Sequence, residues 1–377
     1  MKVLIVTSGF LPGVKYGGPP ISINNFCSLM DNCECYVVAK NHDMGETLPY
    51  TGISAGWNDK GNCFVKYLSD ENYSKDSFLA ALDEIKPDIL YLQSLFADCV
   101  LPCLSIAKLR NVPVLLAPRG ELCPGAMRKK YKKIPYIGLL RAAGLIRNVS
   151  FQFTSDDELM GIKRYFGESA KAFALTNVPS KPKKLSQRSK KRVGEIKIAY
   201  LSRIVPKKNL YYALSCLPGL CGSVEFNIYG PVEDASYYEK CKSLISTLPS
   251  NIKANYCGYV GQGGSHAIFA EHDVFLFPTQ SENYGHVIAE SLSVGCPVLT
   301  SDQTPWTFEG FEAAGRAIPL DMKSKFMGEL QGLIDEDGFA SAGRRSCAIR
   351  YFDHAANYDS LRSRYSDVLL AVKNFDK

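Results

Sequence analysis

Few residues here could hold a metal. The chain has only five histidines, and none stands with cysteines at zinc-site spacing. No Cys-x-x-Cys pair occurs among the 13 cysteines. Cys33-x-Cys35 and Cys99-x3-Cys103 lack further partners, and the odd total argues against a closed disulfide framework. Cys63, Cys99, Cys103, Cys216 and Cys296 sit inside apolar runs. Buried, reduced thiols in a cytoplasmic protein are expected, with no metal. There is no run of about 18 apolar residues, so no membrane span is expected. The opening apolar run, residues 3–6, is too short for a secretory signal. No G-x-G-x-x-G follows a strand, so the dinucleotide fingerprint is missing. Charge is not lopsided either. The net value of +6 does not call for a nucleic-acid partner.

What remains is an ordinary globular composition, 46% hydrophobic and 22% charged. A chain of 377 residues exceeds one ordinary core and suggests two domains. β-Branched apolar runs at 3–6, 35–38, 64–68, 89–92, 112–117 and 151–154 read as strands, with helices between. The pattern restarts at 197–201 and continues at 224–230, 254–260, 274–278 and 297–300. Between the halves, residues 180–192 hold seven basic residues and no apolar period, as an exposed linker would. Alternating strands and helices argue for parallel sheets covered on both faces. In such sheets ligands sit beyond the carboxyl ends of the strands.

The most informative stretch is 281–290, Ser-Glu-Asn-Tyr-Gly-His-Val-Ile-Ala-Glu. It lies between a strand-like run and a helix-like one, with Gly285 at the turn. Glycine lets backbone N–H groups approach a ligand, and a helix start favours phosphate. Glu282 and Glu290 are odd company for phosphate unless the ligand also carries hydroxyls, which a carboxylate accepts. Phosphate with polyol describes a nucleotide sugar. The alternative is a solvated turn before an ordinary helix. At the end of the first strand of the second half stand Arg203 and Lys208, a diphosphate clamp or plain surface charge. In the first half, the loop 9–20 offers Gly17 and Gly18 at a helix start, or serves as a connector. Arg119 and Glu121 occupy another strand end. They could hold an anionic group and a hydroxyl, or form a surface ion pair of little consequence. Residues 125–147 carry Arg128, Lys129, Lys130, Lys132, Lys133, Arg141 and Arg147 and no acid, with aromatic and aliphatic residues interleaved. Such a segment suits an anionic membrane surface, a pyrophosphate-bearing lipid, or water.

Two α/β halves, a linker, Arg203 with Lys208, and the Glu-x7-Glu element of Glu282 and Glu290 resemble the family-4 retaining glycosyltransferases, over essentially the whole chain. The resemblance implies an α/β, GT-B fold: two Rossmann-like domains facing across a cleft. The division would be an acceptor domain at 1–180, a basic linker at 181–195, a donor domain at 196–350, and a helix at 351–377 returning to the first domain. It also implies roles. Glu282 would contact the transferred sugar and Glu290 the ribose. Asn283, Tyr284, Gly285, His286 and Val287 would present backbone amides to the diphosphate, and Arg203 and Lys208 would neutralise it. Gly17 and Gly18 would lie near donor phosphate and acceptor. Many members have a histidine where this chain has Arg119, whose guanidinium cannot serve as a general acid or base.

The expected activity is metal-independent, retaining transfer of a hexose or N-acetylhexosamine from a UDP- or GDP-sugar, with no cofactor. The acceptor would be a growing glycan, lipid-pyrophosphate-linked, in bacterial surface polysaccharide synthesis. The expected place is the cytoplasm, with membrane contact at most peripheral. A nucleotide-sugar epimerase of the same fold is the second reading, and a non-catalytic sugar-nucleotide binder the third.

Overall fold

The computed structural model describes residues 1–123, 125–182, 185, 191–261 and 263–374; for 128–130 it describes the backbone alone. Residues 183–184 and 186–190 of the basic linker therefore lie outside the described residues, as do the side chains of Arg128, Lys129 and Lys130.

The chain divides into two compact units: unit 1, Met1–Val178 with Tyr358–Lys377, and unit 2, Pro179–Asn357. Unit 1 is built on β1 (Lys2–Val6), β2 (Glu34–Lys40), β3 (Trp57–Asp59), β4 (Phe64–Leu68), β5 (Ile89–Gln93), β6 (Val114–Ala117), β7 (Val149–Phe153) and β8 (Ala172–Ala174). They form one sheet in the order β3-β4-β2-β1-β5-β6-β7-β8. All neighbours are parallel except β3, which runs antiparallel to β4 at the edge. Unit 2 holds β9 (Glu195–Leu201), β10 (Ser223–Tyr229), β11 (Ile252–Gly258), β12 (Val274–Phe277), β13 (Val298–Ser301) and β14 (Gly315–Ile318). Their order is β11-β10-β9-β12-β13-β14, all parallel.

The apolar runs explain the covering. In β1, Leu4 and Val6 join a core with the helices Lys75–Ile85 and Val100–Arg110, while Val3 and Ile5 join another with Gly18–Leu29. A strand sends alternate side chains to opposite faces, so only a continuous apolar run can feed two cores. The second core also contains Leu361, Tyr365, Leu369 and Val372 of the last helix, Tyr358–Lys373. The Phe26 and Tyr365 rings meet at 5.4 Å. Tyr365 also donates to the Thr176 carbonyl at 2.9 Å.

Several elements differ in extent from the sequence expectation. The first helix begins at Gly18, not residue 21, because Pro19 and Pro20 occupy its first turn. Proline has φ suited to that turn, and its missing N–H would be unpaired there anyway. The final helical stretch is two helices, Gly338–Ala355 and Tyr358–Lys373. The first belongs to unit 2, so residues 351–357 do not join unit 1. Glu195, placed in the linker from sequence, already pairs in β9. Ser155 caps the helix Asp156–Phe166, its Oγ accepting from Glu158 N–H at 3.3 Å.

Candidate functional site

In unit 2 the segment after β12 turns sharply into the helix His286–Ser293. Gly285 stands at the cap with φ 82° and ψ 63°. A side chain is disfavoured in that left-handed conformation, and a Cβ would come within 3.1 Å of Ile288 Cδ1. The turn is tied to the neighbouring strand end: Glu282 N–H donates to Gln303 O at 3.0 Å, and Thr300 Oγ1 to Phe277 O at 2.8 Å. Trp306 is only 4% exposed. It donates its indole N–H to Tyr284 O at 2.6 Å, and its ring packs 5.6 Å from that of Tyr284. In the structure it packs and fixes the turn from behind. His286 and Glu290 lie one turn apart on the helix, with Glu290 buried.

Lys208 reaches this turn from the other side of β12. It ends a short 3-10 helix, Pro206–Lys208, that follows β9. The Lys207 carbonyl accepts Gln280 N–H at 2.9 Å, and Asn209 Nδ2 donates to Pro278 O at 2.9 Å. So clamped, the Lys208 ammonium forms an ion pair with Glu282 Oε1. Both side chains are 14% exposed. Burial pushes the Lys208 pKa below its usual value, and Glu282 pulls it back only in part. A carboxylate has a second oxygen to accept from a ligand hydroxyl. Pairing with Lys208 therefore does not use up Glu282. Arg203 is different. It is paired with Glu233 Oε2 at 3.0 Å, at the surface. The structure thus brings Lys208 and Glu282 together and shows Arg203 held by a partner the sequence did not indicate.

Unit 1 places its candidates at the carboxyl edge of its own sheet. Gly17 caps the first helix with φ 75°. The loop before it hangs on Asp43, which accepts from Val14 N–H at 2.9 Å, Lys15 N–H at 3.0 Å and Met44 N–H at 2.9 Å. Arg119 and Gly120 follow β6 with φ 57° and 79°. Arg119 donates to Gln93 Oε1 at 2.7 Å and to Asn177 Oδ1. Glu158, 1% exposed, accepts from Gly120 N–H at 2.5 Å and Thr154 N–H at 2.9 Å. Glu121 does not pair with Arg119. It accepts from Ser94 Oγ at 2.6 Å and Leu95 N–H at 2.6 Å, which closes the loop after β5. Asp43, Glu158, Asn177 and Glu233 escaped sequence reasoning. They gave no usable signal, because each meets a partner through tertiary structure. Among the described residues no group of three or more His, Cys, Asp and Glu is placed to hold a metal ion.

Residues 182–313 match the family model for glycosyl transferases group 1. That span contains Arg203, Lys208 and the whole of 281–290. No curated protein matches the chain. Among solved structures, Anabaena HepE in complex with UDP and glucose is similar at TM-score 0.70 and 13% identity, over 98% of this chain and 100% of that one. Sucrose-phosphate synthase from Thermosynechococcus elongatus follows at 0.68 and 11%, over 98% of both. The lipopolysaccharide outer core galactosyltransferase WaaB, in its apo form, gives 0.64 and 16%, over 97% and 99%. The fold is GT-B.

Proposed function

We propose that the chain is a retaining glycosyltransferase of the Glu-x7-Glu type, moving a hexose or N-acetylhexosamine from a nucleotide diphosphate sugar. The observation that carries this is the Lys208–Glu282 pair beside the glycine-capped start of His286–Ser293. When the glycosidic bond to the donor breaks, negative charge develops on the leaving diphosphate. A fixed ammonium and a helix start stabilise that charge without reorganising. The amides at 283–287 complete the cradle, and Arg203 adds a second cation by exchanging Glu233 for phosphate. Glu282 orients the sugar through its hydroxyls, and Glu290 takes the ribose. The reaction proceeds with retention and without a metal ion. The family-model match over this half supports the reading. HepE, solved with UDP and glucose, makes a UDP-sugar the first donor to try, ahead of GDP-sugars.

On unit 1, Gly17 and Gly18 are proposed to approach donor phosphate and acceptor. Arg119 is proposed to hold an anionic group, and Glu121 to act on the acceptor through the loop it closes. The acceptor is proposed to be a lipid-pyrophosphate-linked glycan of a bacterial surface polysaccharide. WaaB, a lipopolysaccharide galactosyltransferase, supports that choice. The protein would then work in the cytoplasm against the inner face of the membrane. Among the described residues no helix is long and apolar enough to cross a membrane. The helix Lys130–Ala142, however, exposes Tyr131, Ile134 and Leu139 beside Lys132 and Arg141, a face suited to an anionic bilayer surface. The test is an assay of donor panels with and without lipid-pyrophosphate acceptors, followed by NMR of the donor. Acceptor-dependent loss of one donor with retained anomeric configuration is expected. Interconversion of the donor alone would make it an epimerase, and binding without turnover a sugar-nucleotide binder.

A further inference from the structure

A cavity of about 370 Å³ opens where β7 begins, at the amino edge of the unit 1 sheet. The loops at 7–17, 94–96 and 118–121 lie at the opposite, carboxyl edge, so this cavity is separate from the candidate site. Three cations line it: Arg141 at the end of Lys130–Ala142, Arg147 on the way into β7, and Lys171 just before β8. A fourth, Lys108, lines a smaller adjoining cavity that shares Arg147. The two are brought together at Gly144, φ 61°, where a Cβ would lie 3.3 Å from Lys108 Nζ and 3.8 Å from Arg147 Nε. Among the described residues, no Asp or Glu lines either cavity. The neighbouring Glu168 is paired with Lys163 at 3.4 Å. Arg141 is steadied by donating to Tyr165 O at 3.2 Å.

Converging cations without a carboxylate make a local field that favours an anion, and guanidinium groups match phosphate oxygens two at a time. Beside the polar Ser169, the wall carries the apolar Ile146, Phe151 and Phe166, the two rings stacked at 4.8 Å. The ligand is therefore a phosphate with an apolar attachment. The helix that ends in Arg141 exposes Tyr131 at 71%, Ile134 at 48% and Leu139 at 52%. A phosphate-binding cavity at the end of an apolar, basic helix face fits the headgroup layer of a bilayer.

We propose that this cavity seats the headgroup phosphate of an anionic phospholipid, with the lipid's glycerol and first methylenes against Ile146 and Phe166. The proposal rests on the membrane reading of Lys130–Ala142 and adds a discrete site to it. The test uses the full chain in co-sedimentation with vesicles of phosphatidylcholine alone or mixed with phosphatidylglycerol. Expected is binding to the mixed vesicles only, reduced at least tenfold in R147E/K171E and restored in R147K/K171R. Turnover on a detergent-soluble acceptor should be unchanged in these variants. If R147E/K171E binds like the parent while I134D/L139D does not, the cavity is refuted and the membrane face stands. If the parent binds no vesicle, both fall. If inorganic phosphate raises the melting temperature through Arg147 without vesicle binding, the site takes a soluble anion and the lipid assignment is overturned.

Discussion

In unit 1 the chain leaves β1 and reaches its first helix through a long loop held by Asp43, with backbone N–H groups as the bound partners. In unit 2 it leaves β9 and reaches its helix through a short turn that delivers Lys208 to Glu282. The element order is the same, strand to loop to helix. One opening makes a shaped recess from glycine and backbone, and the other makes a charged one from side chains. Under the proposed function the difference suits a division of labour. A diphosphate leaving group needs fixed charge, whereas a bulky acceptor needs room and close backbone approach.

The largest effect that would test this contrast is in unit 2. Lys208→Ala should lower turnover about a hundredfold to a thousandfold, the usual loss when a charge-stabilising group is removed. It should also destabilise unit 2 by about 3 kcal/mol, since it leaves Glu282 without its mostly buried partner. The double variant K208A/E282A should be less destabilised than the sum of the singles. Initial rates and urea titration measure both, and additive losses would mean the pair is not coupled.

The next effect is on pH dependence. Burial lowers the Lys208 pKa from 10.5, so the ammonium is lost at a lower pH than for a free lysine. Donor affinity, which needs the cation, should fall about tenfold per pH unit above that point. Between the lowered value and 10.5 the unfolded chain binds more protons at this residue, so its contribution to stability rises with pH while binding falls. Calorimetric titration of donor against pH should show this decline in the parent and not in K208A.

Asp43→Ala tests the opposite arm. It should cost about 2 kcal/mol through unpaired N–H groups. Hydrogen exchange should speed up at residues 14, 15 and 44, with unit 2 amides unaffected. Acceleration confined to unit 2 would break the contrast. The smallest effect is expected at the exposed Arg203–Glu233 pair. Glu233→Ala should change stability by less than about 1 kcal/mol and lower the donor KM by freeing Arg203. A raised KM would show that Glu233 helps the site instead of occupying Arg203.

The fold was legible because its central strands are apolar on both faces, and such runs as 3–6 and 89–92 admit few other readings. The short edge strands β3, β8 and β14 were not, since an edge strand of three or four residues carries no periodic signal. Within the site, Gly285 and Lys208 were readable, because a glycine before a helix and a basic residue after a strand each have a local cause. Arg203's partner was not. Glu233 meets it only because β9 and β10 lie side by side in register and Ile204 bridges to Val232 beyond their ends. Glu121 shows the same gap: its partners come from the loop after β5, which no local pattern around residue 121 reveals.

Leu361, Tyr365, Val368, Leu369 and Val372 complete a core whose other buried members come before residue 179. Synthesis therefore delivers unit 1 in two instalments, with all of unit 2 in between. A ribosome that has released residues 1–178 has made a sheet with one apolar face still short of its last helix. That face waits, exposed to aggregation or to chaperones, while unit 2 is made and folds without any such delay. The order of birth of the two units is thus the reverse of their order of completion, and a late stop in translation injures the domain made first.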